Sequence, residues 1–312
     1  RNAELKSLNL KIAKQQIMNI YNTLKIFACW FTARFNRKRL ICPSCGGEPS
    51  GVMDRRFLVL TLTRCSSCGL LFRQPTDEPS LTKLYYQGEY RDPSITEIPN
   101  TAELDELIKN SFDQKFNRAG QVKLVRHLTG PGKFLVLDFG CSWGYASWQF
   151  KAADFDVHGF EIGKERAEHA ADWLDIPVFS DQAEIQCQYD VIYSCHVFEH
   201  VPELQTLLDK LKTALKPGGF FVAITPNGGT EARERNSKIW HKLWGRRHPI
   251  FIDAEYWFSA FRDWEKLAFS RSPFSGDSTT PYEKISLQAL EASAQLDLSG
   301  DELVFIAKKR AN

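Results

Sequence analysis

Apolar residues open the chain at Leu10, Ala13, Ile17, Ile20, Leu24, Phe27 and Phe31. Steps of three and four sustained over three heptads predict one amphipathic helix from Leu10 to Phe35. Its end carries Arg34, Arg37, Lys38 and Arg39, a cluster that suits anionic lipid, a phosphorylated partner or plain solvent, while the apolar stripe suits packing on protein. The run Phe57-Leu-Val-Leu-Thr-Leu-Thr reads as a strand. Beyond Pro75 and Pro79, the segment from Leu81 to Tyr90 predicts a short helix with an aromatic cluster, and Asp105 to Leu128 has helical spacing. Gly130-Pro-Gly132 closes this connector, and from Lys133 the pattern changes to alternating strands and helices, as in a parallel sheet with crossover helices. The expected layout is a basic helix over 1–40, a small module over 41–78, a helical connector over 79–130 and an α/β domain over 131–312.

Composition adds one asymmetry. The 312 residues are 43% hydrophobic and 25% charged with a net charge of +2, values of a globular chain rather than a disordered or fibrous one. Residues 1–40 hold nine Lys or Arg against the single acid Glu4, so +8 there leaves −6 for the remainder. The longest apolar run, Ile26 to Phe31, is far short of the roughly 20 residues that cross a bilayer. The expected location is cytoplasmic, with residues 1–40 as a candidate peripheral contact with the inner membrane face. The first residue is Arg, which leaves a processed or excised start open.

Four of the eight cysteines form two pairs, Cys42-Pro-Ser-Cys45-Gly and Cys65-Ser-Ser-Cys68-Gly, with nineteen residues between Cys45 and Cys65. Two such knuckles put four thiolates within reach of one tetrahedral zinc ion, and the glycines relieve the tight backbone beside each sulfur. A closed four-sulfur sphere leaves no position for substrate, so this zinc would be structural. A redox role for one pair is the competing account, and it gives the second pair nothing to do.

The chemistry-bearing text begins at Phe134-Leu-Val-Leu-Asp138-Phe-Gly140-Cys141-Ser142-Trp143-Gly144-Tyr145, an apolar strand running into a glycine loop and then a helix from Tyr145 to Ala152. Glycines at such a turn let backbone approach a nucleotide-like ligand closely. Seventeen residues after Gly144, the next strand ends in Glu161, where a carboxylate can accept both ribose hydroxyls. A dinucleotide fingerprint would read Gly-x-Gly-x-x-Gly, to seat a pyrophosphate on the helix N-terminus. Asp138-x-Gly140-x-Ser142-x-Gly144 resembles instead the first motif of class I S-adenosylmethionine-dependent methyltransferases. Further on, Tyr189-Asp190-Val-Ile-Tyr-Ser194-Cys195-His196-Val197-Phe198-Glu199-His200-Val201-Pro202 is similar to the fourth-strand motif of that family, and Leu215-Lys-Pro217-Gly218-Gly219 to Asn227 is similar to its turn into strand five. Gly300-Asp301-Glu302-Leu-Val-Phe-Ile-Ala resembles the closing antiparallel strand. With the zinc knuckles, the Tyr85-Tyr86 segment and the Glu199-His200 pair, the chain resembles the zinc-containing subgroup of sugar and polysaccharide pathways.

The resemblance implies an α/β, Rossmann-like seven-stranded methyltransferase sheet with an N-terminal amphipathic helix and a small four-cysteine zinc-ribbon module. It implies that Asp138, Gly140, Cys141, Ser142, Gly144 and Tyr145 line the methionine and ribose side of S-adenosylmethionine. Glu161 would hold the ribose, Ile162 and Asp181 would flank the adenine, and Cys195 and His196 would lie at the fourth-strand exit. For the acceptor, His200 is the expected base, oriented by Glu199, because an imidazole takes a proton most readily near neutral pH. Tyr85, Tyr86 and Tyr90, with Arg247 and His248 in the insertion after strand five, are expected to line the acceptor side. Arg246 and Arg247 suit phosphate or carboxylate, although exposed arginines often do nothing specific. The expected reaction is methyl transfer to a hydroxyl or carbon of a small molecule or glycan. Two other readings are an RNA methyltransferase with a zinc ribbon and a non-catalytic cofactor-binding scaffold. Against the first, the chain after residue 40 is net acidic, and Ser194-Cys-His-Val stands where base-amine methylation wants Asn-Pro-Pro-aromatic.

Overall fold

The computed structural model describes residues 31–77, 95–112, 114–273, 282 and 285–311. The expected helix over Leu10 to Phe35 lies almost wholly outside these residues, as do Tyr85, Tyr86 and Tyr90; residues 31–33 are helical. Among the described residues, no helix is long and apolar enough to cross a membrane.

The N-terminal module is a hairpin, β1 (Pro49–Arg56) and β2 (Leu60–Cys65), extended by β3 (Leu71–Gln74). The expected strand from Phe57 is thus half turn and half strand. Phe57 and Leu58 take φ of 53° and 59°, the left-handed pair that a tight hairpin requires and that side chains at these positions usually avoid. Helix α1 (Thr101–Lys109) starts on a capping box, with Asn100 accepting from the Glu103 N–H and Glu103 accepting from the Asn100 N–H. The expected continuous helix to Leu128 is interrupted. The chain turns at Ser111 and Phe112, both at positive φ, and resumes as α2 (Ala119–Thr129). The break lets Phe112, fully buried, pack on Trp148 and Trp143 with ring centroids 5.1 and 6.1 Å apart.

The α/β domain follows in alternation: β4 (Leu135–Phe139), α3 (Tyr145–Ala152), β5 (Asp156–Phe160), α4 (Lys164–Leu174), β6 (Val178–Phe179), β7 (Tyr189–Cys195), α5 (Leu204–Ala214) and β8 (Leu215–Pro226). An insertion then supplies α6 (Thr230–Arg235), α7 (Ser237–Lys242), β9 (Ile250–Phe251) and α8 (Ala254–Ala260), before β10 (Glu265–Arg271), α9 (Leu287–Glu291) and β11 (Glu302–Lys308). The sheet order is β10-β11-β8-β7-β4-β5-β6, parallel from β6 to β8, with β11 antiparallel to both of its neighbours. This is the seven-stranded Rossmann-like arrangement expected from the motifs. Strands β4 and β7 are buried on both faces, which is why they read as near-continuous apolar runs. Alternate residues serve two cores: Leu137, Phe139 and Ile192 join Phe198, Phe221 and Trp257 on one face, and Val136, Val191 and Tyr193 join Trp143, Phe150 and Phe269 on the other.

The small module is not self-contained. Its sheet runs β1-β2-β3-β9, so the last strand comes from the insertion: Leu71 pairs with Phe251 and Phe72 with Ile250, and the Arg73 N–H donates to the Pro249 carbonyl at 2.8 Å. Cys42, Cys65, Leu70 and Phe72 belong to the same apolar core as Phe198 and Trp257. Arg64 reaches Asp253 at 2.7 Å, and Asp253 caps α8 by accepting from the Tyr256 N–H.

Candidate functional site

The carboxyl ends of β4, β5 and β7 meet where the strand order reverses, the crevice in which open α/β sheets take ligands. From β4 the chain enters the loop 140–144. Gly140 sits at φ +88°, and a Cβ there would collide with Val197 Cγ2; Gly144, at φ +95°, would meet Leu174 Cδ1 at 2.5 Å. Both positions therefore need glycine for conformation and for space. The N–H groups of Gly140 and Cys141 donate to the Phe160 carbonyl at 2.7 and 3.0 Å, tying the loop to the end of β5. Ser142 also has positive φ, and its buried hydroxyl has no hydrogen-bond partner among the described residues.

Asp138 is buried at the tip of β4 and accepts from Ser147 Oγ at 2.6 Å. Burial pushes its carboxyl up to about 6 against the pull of Ser147 and Arg118. Glu161, 7% exposed, lies across the loop: one oxygen accepts from the Ser142 N–H at 3.1 Å, the other from the Gly163 N–H at 2.8 Å and from Arg166 at 2.7 Å. Ile162 beside it is half-buried. Asp181 is exposed and accepts from the Ala183 N–H at 2.8 Å, capping the short turn Gln182–Glu184. Tyr145, buried, opens α3.

One residue that sequence reasoning missed stands among these. Arg118 precedes α2, its guanidinium lies 5.0 Å from the centre of the Tyr145 ring, and its Nη2 donates to Tyr145 Oη at 3.4 Å. Its Nε is buried with no hydrogen-bond partner among the described residues. Gln149 fixes it, accepting from the Arg118 N–H at 2.7 Å while donating to the Phe116 and Tyr145 carbonyls. The residue falls in the break of a segment whose spacing reads as one helix, so no pattern singles it out.

The exit of β7 carries the second group. Cys195 is half-buried, and His196, at φ 57°, is held between carboxylates, 3.2 Å from Glu199 and 3.0 Å from Glu302. Burial alone would lower its pKa, but Cys195, Glu199 and Glu302 outweigh it and hold the imidazole well above its ordinary range. Glu199, 1% exposed, would be raised by burial, yet the His196 hydrogen bond and the nearby histidines bring it down to about 2. His200 ends the short 3-10 turn Phe198–His200 rather than beginning a helix; α5 starts at Leu204. Its Nδ1 donates to the Arg247 carbonyl at 2.7 Å, and its ring packs edge-on to His248 with centroids 4.7 Å apart. Burial lowers its pKa to about 4 against the pull of Glu199, so the ring is neutral near pH 7 and a weaker base than the sequence suggests. Arg246 and Arg247 are exposed beside it.

In the small module, the sulfurs of Cys42, Cys45, Cys65 and Cys68 lie within 4.8 Å of one another, with Cys42 to Cys68 at 3.7 Å and Cys45 to Cys65 at 3.5 Å. Zinc–sulfur bonds of about 2.3 Å imply tetrahedral edges of about 3.8 Å, so the cluster fits a zinc ion with little adjustment. Gly46 and Gly69 turn at φ 73° and 77°, and a Cβ on Gly47 would stand 2.8 Å from Cys65 Sγ.

A seven-stranded sheet with this order, a glycine loop after β4 and an acid after β5 define the methyltransferase class. Residues 104–264, more than half of the chain, match the family model described as "Methyltransferase domain", and the chain belongs to that family. Over 118 residues it is 30% identical to a ubiquinone biosynthesis O-methyltransferase of Proteus mirabilis, covering 35% of this chain and 45% of that protein. It is 30% identical over 147 residues to the protein of the same name from Acinetobacter baylyi, covering 40% and 62%. The chain thus spans about half the length of the curated relatives it matches. Among solved structures it is similar to the plantazolicin methyltransferase BpumL in complex with a pentazolic desmethylPZN analog and SAH, at 14% identity and a TM-score of 0.47, covering 74% of this chain and 96% of that one.

Proposed function

We propose that this protein transfers the methyl group of S-adenosylmethionine to an oxygen, or failing that an acidic carbon, of a small-molecule or glycan acceptor. The observation that carries the reading is the convergence of Asp138, the Ser142 hydroxyl, Glu161 and Arg118 on one crevice, with the Ser142 hydroxyl and Arg118 Nε buried and unmatched among the described residues. These groups match the cofactor piece by piece: Glu161 for the ribose hydroxyls, Arg118 for the methionine carboxylate, Asp138 for the amino group and the loop 140–144 for close backbone approach. Glu199, His200 and His248 lie on the acceptor side. Bound S-adenosylmethionine would supply an electrophilic methyl group with sulfur as its leaving atom, and an acceptor aligned behind it would lose its proton toward the Glu199–His200 side or water. The curated relatives are named as O-methyltransferases, which favours oxygen. The exposed Arg246 and Arg247 beside His248 suit an acceptor carrying phosphate or carboxylate, such as a nucleotide- or lipid-linked sugar. Four thiolates would hold a structural zinc ion in the small module.

Glu161→Ala removes the ribose partner, and the expected loss of SAH affinity is about 2–4 kcal/mol for two charge-assisted hydrogen bonds. Calorimetry that found SAH bound equally well by wild type and variant would remove the basis of the reading.

A further inference from the structure

We propose that the tip of the β1–β2 hairpin, with the turn that carries Phe31 and Phe35, forms a docking surface for an anionic lipid bilayer. Five of the eight large apolar side chains exposed among the described residues fall within residues 31–58: Phe31, Phe35, Val52, Phe57 and Leu58. Single exposed hydrophobes are ordinary, whereas a local cluster of them marks an interaction surface. Its parts are joined. Arg34 Nη1 donates to the Val59 carbonyl at 2.9 Å, which ties the turn 31–35 to the hairpin beside Leu58. On that turn the rings of Phe31 and Phe35 meet edge to face with centroids 5.7 Å apart, and the side chains remain exposed.

Leu58 carries the argument furthest. It is fully exposed at φ 59°, so its backbone is strained and no burial of its side chain offsets the strain. Asn or Gly at this place would relieve the turn, and a leucine at a solvated hairpin tip adds nothing to the fold. Strain with no internal compensation points to a contact outside the chain.

The charge around the patch says what that contact is. Residues 31–60 hold six Lys or Arg against Glu48 and Asp54, whereas the chain after residue 40 is net acidic. Asp54 is turned to His241 Nδ1 and Trp244 Nε1, at 2.6 and 2.9 Å, and Glu48 is paired with Arg37 at 3.0 Å. Lys38 and Arg55 are exposed. An anionic bilayer answers both features, taking apolar tips among its outer acyl carbons while its phosphates meet the cations. A nucleic acid would meet the cations and leave Leu58 in water, and a second copy of the chain would bring like charges together. The hairpin also stands on the insertion after β8: Arg56 donates to the Trp244 carbonyl, and its guanidinium lies over the Trp244 ring at 5.7 Å. Docking would hold the neighbouring Arg246, Arg247 and His248 near the bilayer, which suits an acceptor carried by a lipid. That consequence rests on the methyl-transfer reading, whereas the docking does not.

The test is co-sedimentation of the full chain, without cofactor, with vesicles of phosphatidylcholine alone or mixed with phosphatidylglycerol. Binding is expected to the mixed vesicles, falling as salt rises, with little to phosphatidylcholine. Leu58→Gly should weaken it by roughly tenfold, the effect of withdrawing one leucine from an apolar contact. Because that change relieves the turn, the loss would not come from unfolding. Arg55→Gln should weaken binding by roughly fivefold, as one basic residue at an anionic surface contributes. Equal binding to both kinds of vesicle, binding to neither, or full binding retained by both Leu58→Gly and Phe35→Ser overturns the proposal. So does self-association in sedimentation velocity that these two variants abolish, which would make the patch an interface between copies. SAH calorimetry on the same samples keeps the two readings apart: wild type that docks on vesicles but takes no SAH would strike the methyl-transfer reading alone.

Discussion

At the scale of single residues, the crevice is built from buried polar side chains, and two of them give measurable signatures. Arg118 is held by Gln149 and lies over Tyr145, with Nε buried and unmatched among the described residues. If it receives the methionine carboxylate, Arg118→Gln should weaken SAH by about 1.5–3 kcal/mol, the range for hydrogen bonds to charged groups. Methylthioadenosine, which has the nucleoside but no carboxylate, should bind wild type and variant alike. An equal loss for both ligands would make Arg118 a packing residue. Asp138 adds a pH dependence. Burial raises its carboxyl to about 6, and a cofactor ammonium favours the ionised form. SAH affinity should therefore rise between pH 5 and 7 as Asp138 loses its proton, and Asp138→Asn should flatten that slope. An unchanged slope in the variant would place the titration elsewhere.

At the scale of elements, the legible parts are those where local pattern and fold agree. The helix from Tyr145 to Ala152 and the strand β4 before it were readable because a glycine loop and a doubly buried strand leave unambiguous text. The β1–β2 hairpin was not, because Phe57 and Leu58 occupy a turn whose usual residues are Asn and Gly. The break between α1 and α2 was hidden for a related reason: burying Phe112 against Trp148 overrides helical spacing that is otherwise continuous. Arg118 was lost with it. The pairing of β3 with β9 joins residues nearly 180 positions apart, and two-residue β9 has no signature of its own. The hairpin yields a prediction. Leu58 is fully exposed at φ 59°, so Leu58→Gly removes left-handed strain and loses no burial. The variant should gain about 1 kcal/mol in denaturant unfolding, within the range a left-handed side chain costs. A loss of stability would mean that Leu58 makes a contact worth more than the strain.

At the scale of the molecule, the small module and the segment that carries His248 are one mechanical unit. Cys65 ends β2, β2 pairs with β3, β3 pairs with β9, and the residue before Pro249 is His248, whose ring packs on His200. A zinc ion holding Cys42, Cys45, Cys65 and Cys68 would thus fix His248 through two strand pairings and the Arg73 to Pro249 hydrogen bond. The loop 140–144 is anchored differently, by Phe160 of β5 and by α3, and among the described residues no strand of the module lies beside it. If the loop 140–144 takes the cofactor and the His248 segment faces the acceptor, the two halves of the site should therefore fail separately. In Cys45→Ser, which breaks the metal sphere at its exposed cysteine, hydrogen exchange should rise across residues 60–74 and 248–252 while β4, β5 and β7 keep their protection. SAH should still bind, and methyl transfer should fall because His248 no longer holds its place against His200. If exchange at 248–252 stayed at the wild-type level, the module would be a separate appendage and the coupling through β9 would be wrong. If SAH affinity fell together with turnover, the module would support the whole sheet, and the division of the site into a cofactor half and a module-held acceptor half would not stand.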